Sequence, residues 1–229
     1  MKAMILAAGE GRRMRPLTLS TPKPLLEVAG RPLLEYHLLN LKSAGFKNIV
    51  VNAAYHAEQI VEFCGDGTQW GLSIQVSVEE EPLETAGGII KALPLLGDSP
   101  FLVLNGDTWL PYPFKTLARV TPPLGGAHLV LVDNPPHNLD GDFSLLHGKV
   151  VSKAAAAKTF SGLAVYEPSI FASHSTGKQP LKPVLERAIL EGAVTGEHWL
   201  GDWRDIGTPE RLAALEAKLG NQVSPNQGL

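Results

Sequence analysis

The chain has 229 residues, enough to bury a large core as one α/β unit with at most a small extension. A formal net charge of −3 argues against any general attraction to nucleic acid or to an anionic membrane. A single cysteine, Cys64, excludes internal disulfides and fits a reducing compartment, and no apolar run is long enough to span a bilayer.

In chain order, residues 2–7 are a short, continuous apolar run with turn residues after it, the pattern of a fully buried strand. The run ends in Gly9-Glu10-Gly11-Arg12-Arg13 rather than at a small-residue cleavage site, and the arginines follow it instead of preceding it. Neither a signal peptide nor a twin-arginine export signal is expected, and the cytoplasm is the expected location. A helix is predicted after Arg31, with Pro32 in its first turn, Leu34, Leu38 and Leu41 on one face, and Gly45 as its C-terminal cap. Strand 48–52, helix 57–63, strand 73–79, helix 86–93 and strand 101–105 follow. Strands alternating with helices at this spacing predict an α/β fold with a doubly wound, mostly parallel sheet. Sites on such sheets form outside the carboxyl ends of strands. The glycine loop after the first strand and Gly106-Asp107 after residues 101–105 are therefore expected to face one cleft.

The second half reads differently. Residues 128–133 form a strand, 143–147 and 149–152 pair as a hairpin about Gly148, and 159–166 form another strand. Residues 181–191 read as a helix, and Thr208-Pro209 opens a last one, with Leu212, Leu215 and Leu219 on one side and Gly220 at its end. One domain over residues 1–220 is expected, with a polar tail at 221–229. The sequence has no internal repeats, and in particular none of the hexapeptides that build a β-helix.

The densest chemical signal lies between Leu6 and Lys23. Glycines let backbone N–H groups approach phosphate oxygens, arginines neutralise their charge, and Lys23 sits between Pro22 and Pro24, which stiffen its backbone. Met14 stands where a dinucleotide fingerprint needs its third glycine, and no Gly-Lys-Ser/Thr ending makes this a P-loop. Asp107 follows a buried strand, and Asp205 lies in Trp203-Arg204-Asp205-Ile206-Gly207-Thr208; each, taken alone, also suits a turn or cap. Three successive carboxylates, Glu79 to Glu81, read by themselves as a solvated acidic turn. The seven histidines show no metal-ligand spacing.

The pattern L-A-A-G-x-G-x-R-x-x-P-x-T-x-x-x-P-K is complete from Leu6 to Lys23, and with it the chain resembles the sugar-nucleotide pyrophosphorylases, or sugar-1-phosphate nucleotidyltransferases. The resemblance implies their Rossmann-like nucleotidyltransferase fold with a small sugar-binding β extension and without the C-terminal β-helix that many relatives carry. It divides the chain into a nucleotide half, about residues 1–110, and a sugar half, about 111–220. It also implies attack by a sugar 1-phosphate oxygen on the α-phosphorus of a nucleoside triphosphate, releasing pyrophosphate.

Carried over position by position, the resemblance makes Lys23, Arg13, Asp107 and Asp205 the catalytic set, with Asp107 and Asp205 as Mg²⁺ ligands. Lys23 would contact the α-phosphate and Arg13 the β- and γ-phosphates. The nucleotide would lie against Leu6, Ala7, Ala8, Gly9, Gly11, Arg12 and Gly106, and against Glu81, Ala86 and Gly87 of an E-P-L-x-T-A-G loop. Asn105, Gly141, Asp142, Ser161, Gly162 and Asp205 would meet the sugar. The short chain, and Glu84 where guanylyltransferases usually carry Gly, resemble the branch that joins UTP to N-acetylmuramate 1-phosphate in cell-wall recycling. A carboxylate at Glu81 suits guanine better than uracil, which leaves GTP with mannose or heptose 1-phosphate as a second reading. A non-catalytic nucleotide-sugar sensor on the same fold is a third. Neither nucleic acid nor membrane is an expected partner, and a monomer or weak dimer is expected.

Overall fold

A computed structural model describes the backbone of residues 1–223 and the side chains of residues 1–220. The chain opens with β1 (Ala3–Leu6), then a small hairpin of β2 (Glu27–Val28) and β3 (Arg31–Pro32), and continues through α1 (Leu33–Ser43), β4 (Asn48–Ala53), α2 (Ala57–Cys64) and β5 (Ser73–Val78). It goes on through α3 (Glu84–Leu96), β6 (Phe101–Asn105), β7 (Thr108–Trp109), β8 (Ala127–Val132), β9 (Ser144–Leu146), β10 (Lys149–Val151) and β11 (Thr159–Tyr166). The last elements are α4 (Leu181–Leu190), β12 (Val194–His198), β13 (Arg204–Asp205) and α5 (Pro209–Val223).

One sheet holds nine of these strands, in the order β5-β4-β1-β6-β11-β8-β12-β10-β9. The first four are mutually parallel, as the expected doubly wound pattern requires. Strand β11 runs antiparallel to both β6 and β8, and so joins the parallel part to the second half without a break in the hydrogen bonding. Strand β12, parallel to β8, was not expected from sequence. Its Val-Thr-Gly-Glu-His has only one large apolar residue, so neither alternation nor a continuous run marks it.

Alternation along the central strands supplies two core layers. Ala3, Ile5, Leu102 and Leu104 face Leu34, Leu38 and Leu41 of α1 and Ile60 and Cys64 of α2. Met4, Phe101 and Val103 face Ala86, Ile89 and Ile90 of α3 and Val184, Leu185 and Ala188 of α4. Each leucine so buried contributes about 1.5–3 kcal/mol. Burial pushes the Cys64 thiol up to about 12, so it is a packing residue with no thiolate chemistry at neutral pH.

Turn chemistry pins the hairpins. His147 and Gly148 both have positive φ (49° and 77°), the backbone of a two-residue type I′ turn, and Leu146 pairs with Lys149 across it. The strand expected to begin at Phe143 begins at Ser144, because Phe143 bridges to Lys158 instead. Gly220 does not end the last helix, which continues to Val223; a glycine inside a helix costs about 1 kcal/mol but does not force a stop. The rest of the expected tail, residues 224–229, lies outside the described residues. Leu215 and Leu219 of α5 pack on Val28, Leu33 and Ile206 in a third, smaller cluster.

One polar group lies inside the α1 face. His37 is 2% exposed and neither ring nitrogen has a hydrogen-bond partner. Burial lowers its pKa from 6.5 to about 4, offset only in part by the Thr108 backbone and the charge of Asp107. The ring is neutral in both folded and unfolded chains at pH 7. As pH falls below 6.5 the unfolded chain takes up a proton that the folded chain refuses, so stability is lost between pH 6.5 and 4. Urea unfolding of wild type and His37→Leu should show the variant gaining about 3 kcal/mol relative to wild type from pH 7 to pH 4.

Candidate active site

The parallel strands β5, β4, β1 and β6 end on the same side, and their carboxyl ends carry the polar residues. Asn52, in β4, is 3% exposed. Its Oδ1 accepts from the Ala7 N–H (2.8 Å), and its Nδ2 donates to Glu79 Oε1 (2.6 Å). The second oxygen of Glu79 accepts from the Leu83 N–H at 3.0 Å. This relay ties the loop after β1 to the loop that leads into α3, and it closes against Gly88, where a Cβ would stand 2.7 Å from both Asn52 Nδ2 and Glu79 Oε1. Sequence reasoning missed Asn52; the one signal it offered was an amide near the end of an otherwise apolar strand.

A cavity of about 220 Å³ opens between these two loops, lined by Leu6, Ala7, Ala8 and Gly9 on one side and Pro82, Leu83, Glu84 and Thr85 on the other. Lys23, Asn105 and Asp107 also line it. Lys23 is 6% exposed, and its Nζ lies 2.6 Å from Asp107 Oδ2. Two groups 84 residues apart in sequence thus converge at the cavity, as the motifs predicted.

Residue 205 is brought beside residue 107 by backbone pairing. Asp205 of β13 pairs with Thr108 of β7, and the Ile206 N–H donates to the Asp107 carbonyl at 2.9 Å. The Asp205 carboxylate accepts from Arg211 (2.6 Å) and faces His137 (3.2 Å), two neighbours the sequence did not point to. Among the described residues, every hydrogen bond and ion pair to Asp107 and Asp205 falls on Oδ2, leaving Oδ1 of each without a protein partner. No group of three or more His, Cys, Asp or Glu side chains converges among the described residues. Two carboxylates with open oxygens fit a hard divalent cation that takes its remaining ligands from water and phosphate.

A second cavity, of about 480 Å³, shares Glu84, Thr85 and Asn105 with the first. Its other walls are Asp142, Phe143 and Phe160, and Pro180, Leu181, Lys182 and Leu185 at the start of α4. The sequence did not indicate the α4 wall, because nothing in an amphipathic helix shows which cavity its first turn borders. Asn105 reaches its position because residue 162 is glycine: a Cβ there would stand 2.4 Å from Asn105 Nδ2.

Several expected contacts are placed differently. Glu81 is exposed and lines neither cavity; of the three successive glutamates the one in the wall is Glu79, and both its oxygens are occupied by protein donors. Ser161 lines neither cavity, since its hydroxyl donates to the Val130 carbonyl (2.7 Å) and accepts from the Leu163 N–H (3.2 Å) where β11 shifts register against β8. Asp142 does line the second cavity, but its oxygens accept from Asn138 Nδ2 and the Phe160 N–H, so it holds β11 rather than offering a free carboxylate. Gly141, at φ 65°, packs against the Ala157 backbone with no room for a Cβ.

The exposed Arg12 pairs with the half-buried Glu10 (2.5 Å), whose carboxyl the guanidinium holds below the usual range; Arg13 is exposed with no ion pair among the described residues. Gly11 sits 2.9 Å, by its absent Cβ, from the Thr18 methyl, and Thr18 Oγ1 donates back to the Gly11 carbonyl, so this glycine shapes the arginine loop. Gly106 donates to the Leu6 carbonyl at 2.9 Å, where a side chain would collide with that oxygen. Ala86 and Gly87 are buried in α3, and the Gly87 N–H donates to the Gln179 carbonyl.

Residues 2–143 match the family model for nucleotidyl transferases. Over 228 residues the chain is 48% identical to the N-acetylmuramate alpha-1-phosphate uridylyltransferase of Neisseria meningitidis serogroup B, covering 96% of this chain and 99% of that protein. It is 34% identical to the enzyme of the same name from Caulobacter vibrioides, covering 95% and 96%. Similarity to the mannose-1-phosphate guanyltransferase of Candida albicans, 43% identical, covers 59% of this chain and 39% of that protein. A solved structure from Bacillus anthracis, assigned as a glucose-1-phosphate thymidylyltransferase, shares the fold with a TM-score of 0.84 at 21% identity, covering 100% and 98%.

The relay makes a stability prediction. Asn52→Ala should cost about 2–3 kcal/mol in denaturant unfolding, because it strands a buried carboxylate and a buried N–H. Glu81→Gln should stay within about 0.5 kcal/mol of wild type in the same assay.

Proposed function

The chain belongs to the nucleotidyl transferase family, and on that premise we propose that it moves a nucleotidyl group from a nucleoside triphosphate to a sugar 1-phosphate, releasing pyrophosphate. We read UTP and N-acetylmuramate 1-phosphate as its substrates, a role that belongs to cell-wall sugar recycling in the cytoplasm, with residues 1–220 acting as one domain. The observation that carries the reaction is the meeting of Lys23 and Asp107 at the mouth of strands β1 and β6, with residue 205 hydrogen-bonded alongside. Whole-length likeness to two uridylyltransferases supports the substrates.

The chemistry asks little of the protein in proton transfer. A phosphate monoester has its second pKa near 6, so the attacking oxygen is already anionic at neutral pH and needs no base. The oxygen bonds to the α-phosphorus, the bond to the β-phosphate breaks, and pyrophosphate leaves with the electron pair. What remains is to gather two polyanions and offset charge as the phosphoryl oxygens load. Lys23, fixed by Asp107 in a largely buried position, supplies a point charge whose position is set before substrate arrives. Arg13, exposed on the loop after β1, would meet the outer phosphates, and the backbone of Leu6 to Gly9 would line the nucleoside. A divalent cation held by Asp107 and Asp205, Mg²⁺ in this reading, would add Lewis-acid charge to the phosphate oxygens.

The carboxylate argument for guanine loses its residue, since Glu81 lies outside the cavities and Glu79 has both oxygens occupied; the carboxylate left facing both cavities is Glu84. Guanylyl transfer to mannose 1-phosphate keeps the support of guanyltransferase relatives, of which the chain spans 39% of the Candida albicans protein and 68% of the Hypocrea jecorina one, against 99% and 96% of the two uridylyltransferases.

Pyrophosphate release should be measured with UTP, GTP, CTP and dTTP, each against N-acetylmuramate, N-acetylglucosamine, glucose and mannose 1-phosphates. Turnover concentrated in UTP with N-acetylmuramate 1-phosphate is expected; a preference for GTP with mannose 1-phosphate would reverse the assignment. Lys23→Ala and Asp107→Asn should each lower kcat/KM about 10²–10³-fold, the usual loss on removing one charge-stabilising group. Undiminished turnover in either would remove that residue from the mechanism.

A further inference from the structure

N-acetylmuramate differs from N-acetylglucosamine by one lactyl ether, which adds a methyl group and a carboxylate ionised at neutral pH. Burying that anion against protein without a partner would be costly. A site that prefers the muramate therefore needs a cation or a set of open donors beside an apolar surface.

Three other cations of the sugar half lie away from the second cavity. Lys158 lies 2.8 Å from Asp133, Arg204 3.2 Å from Asp202, and Lys153 3.8 Å from Asp140, and none of the three lines the second cavity. Lys182 is the cation in that cavity's wall. Its side chain is 75% exposed, and its acidic neighbour is Glu186, one helical turn on at 3.8 Å and itself exposed. Surface pairs of this kind are worth about 0–1 kcal/mol, so the ammonium can leave Glu186 at little cost.

The surroundings suit the rest of the substituent. Phe143, Phe160, Leu181 and Leu185 supply an apolar wall for a methyl group. Lys182 is the second residue of α4, whose N-cap is Pro180 and whose N-terminus carries no side-chain cap. The N–H groups of Leu181 and Lys182 are thus donors with no intrahelical partner at the same wall, in the orientation that favours an anion. Two carboxylates, Asp142 and Glu84, also line the cavity; Asp142 has its oxygens turned to Asn138 and the Phe160 N–H, and Lys182 is the charge that offsets them.

We propose that Lys182, with the uncapped first turn of α4, binds the lactyl carboxylate and sets the preference for the muramate sugar over its glucosamine parent. This rests on the uridylyltransferase reading above. The apolar wall orients the lactyl methyl, and the ammonium pairs with the carboxylate where the cavity opens to solvent.

The test is steady-state kinetics of wild type, Lys182→Ala, Lys182→Arg and Lys182→Glu with UTP. N-acetylmuramate 1-phosphate is the varied substrate, and N-acetylglucosamine 1-phosphate, which lacks the lactyl carboxylate, is the control, as substrate or competitive inhibitor. Expected are a KM for the muramate raised about tenfold in the alanine variant, further in the glutamate variant, and near wild type in the arginine variant, in line with one charge-assisted contact. The KM for UTP and the constant for the glucosamine control should stay within about twofold, which also reports that each variant is folded. If Lys182→Glu binds the muramate as wild type does, while wild type prefers it, the Lys182 assignment is overturned and the uridylyltransferase reading stands. If wild type rejects the muramate but turns over another sugar phosphate, the parent reading fails and the lactyl site with it.

Discussion

The hydrogen-bonded chain from the Ala7 amide through Asn52 and Glu79 to the Leu83 amide is the constraint on which the site depends. Parallel strands bring their carboxyl ends to one side, but that only delivers loops to a common edge; it does not set the distance between them. The relay does. An amide and a carboxylate buried in a low-dielectric wall are costly if any partner is missing, so the four groups have one arrangement in which all are satisfied. The width of the cleft between the loop after β1 and the loop before α3 follows from that arrangement. Gly88 is the matching condition on the helix, because any side chain there would occupy the space of the Asn52 amide.

A second constraint is the burial of Lys23. A lysine this enclosed needs an anion, and Asp107 is that anion. The pair holds a positive charge at the first cavity, where the proposed reaction would bring its two anions together. Asp205 is held the same way, between Arg211 and His137, and reaches the site through a two-stranded ladder rather than through the main sheet. Each carboxylate keeps one oxygen turned away from its protein partner, which reconciles strong internal ion pairing with room for an outside ligand.

Much of this was readable in the residues. Continuous apolar runs located β1 and β6 because a strand buried on both faces leaves little room for polar groups. The glycine-arginine motif and the two aspartates pointed to the candidate site because phosphate chemistry restricts which residues serve. What stayed hidden depended on the third dimension. Glu79, Glu80 and Glu81 are the same residue type in succession just past the end of β5, where strand alternation no longer applies; only the fold shows that Glu79 is the one turned inward. Ser161 is likewise turned inward by a register shift that no periodicity reports. Strand β12 carries a Gly, a Glu and a His and reads as loop, yet it pairs along its length with β8.

The antiparallel insertion of β11 has a mechanical side. Because it is bonded to β6 on one edge and β8 on the other, the strands under the first cavity and those beside the second form a single hydrogen-bonded plate. Swinging the two halves about a hinge would shear that ladder. Adaptation to substrate is thereby confined to the loops crossing the strand ends and to the first turn of α4, while the plate passes any tightening at one cavity to the other as stiffness rather than as movement. Two substrates that never touch until the moment of reaction are registered against one rigid ruler.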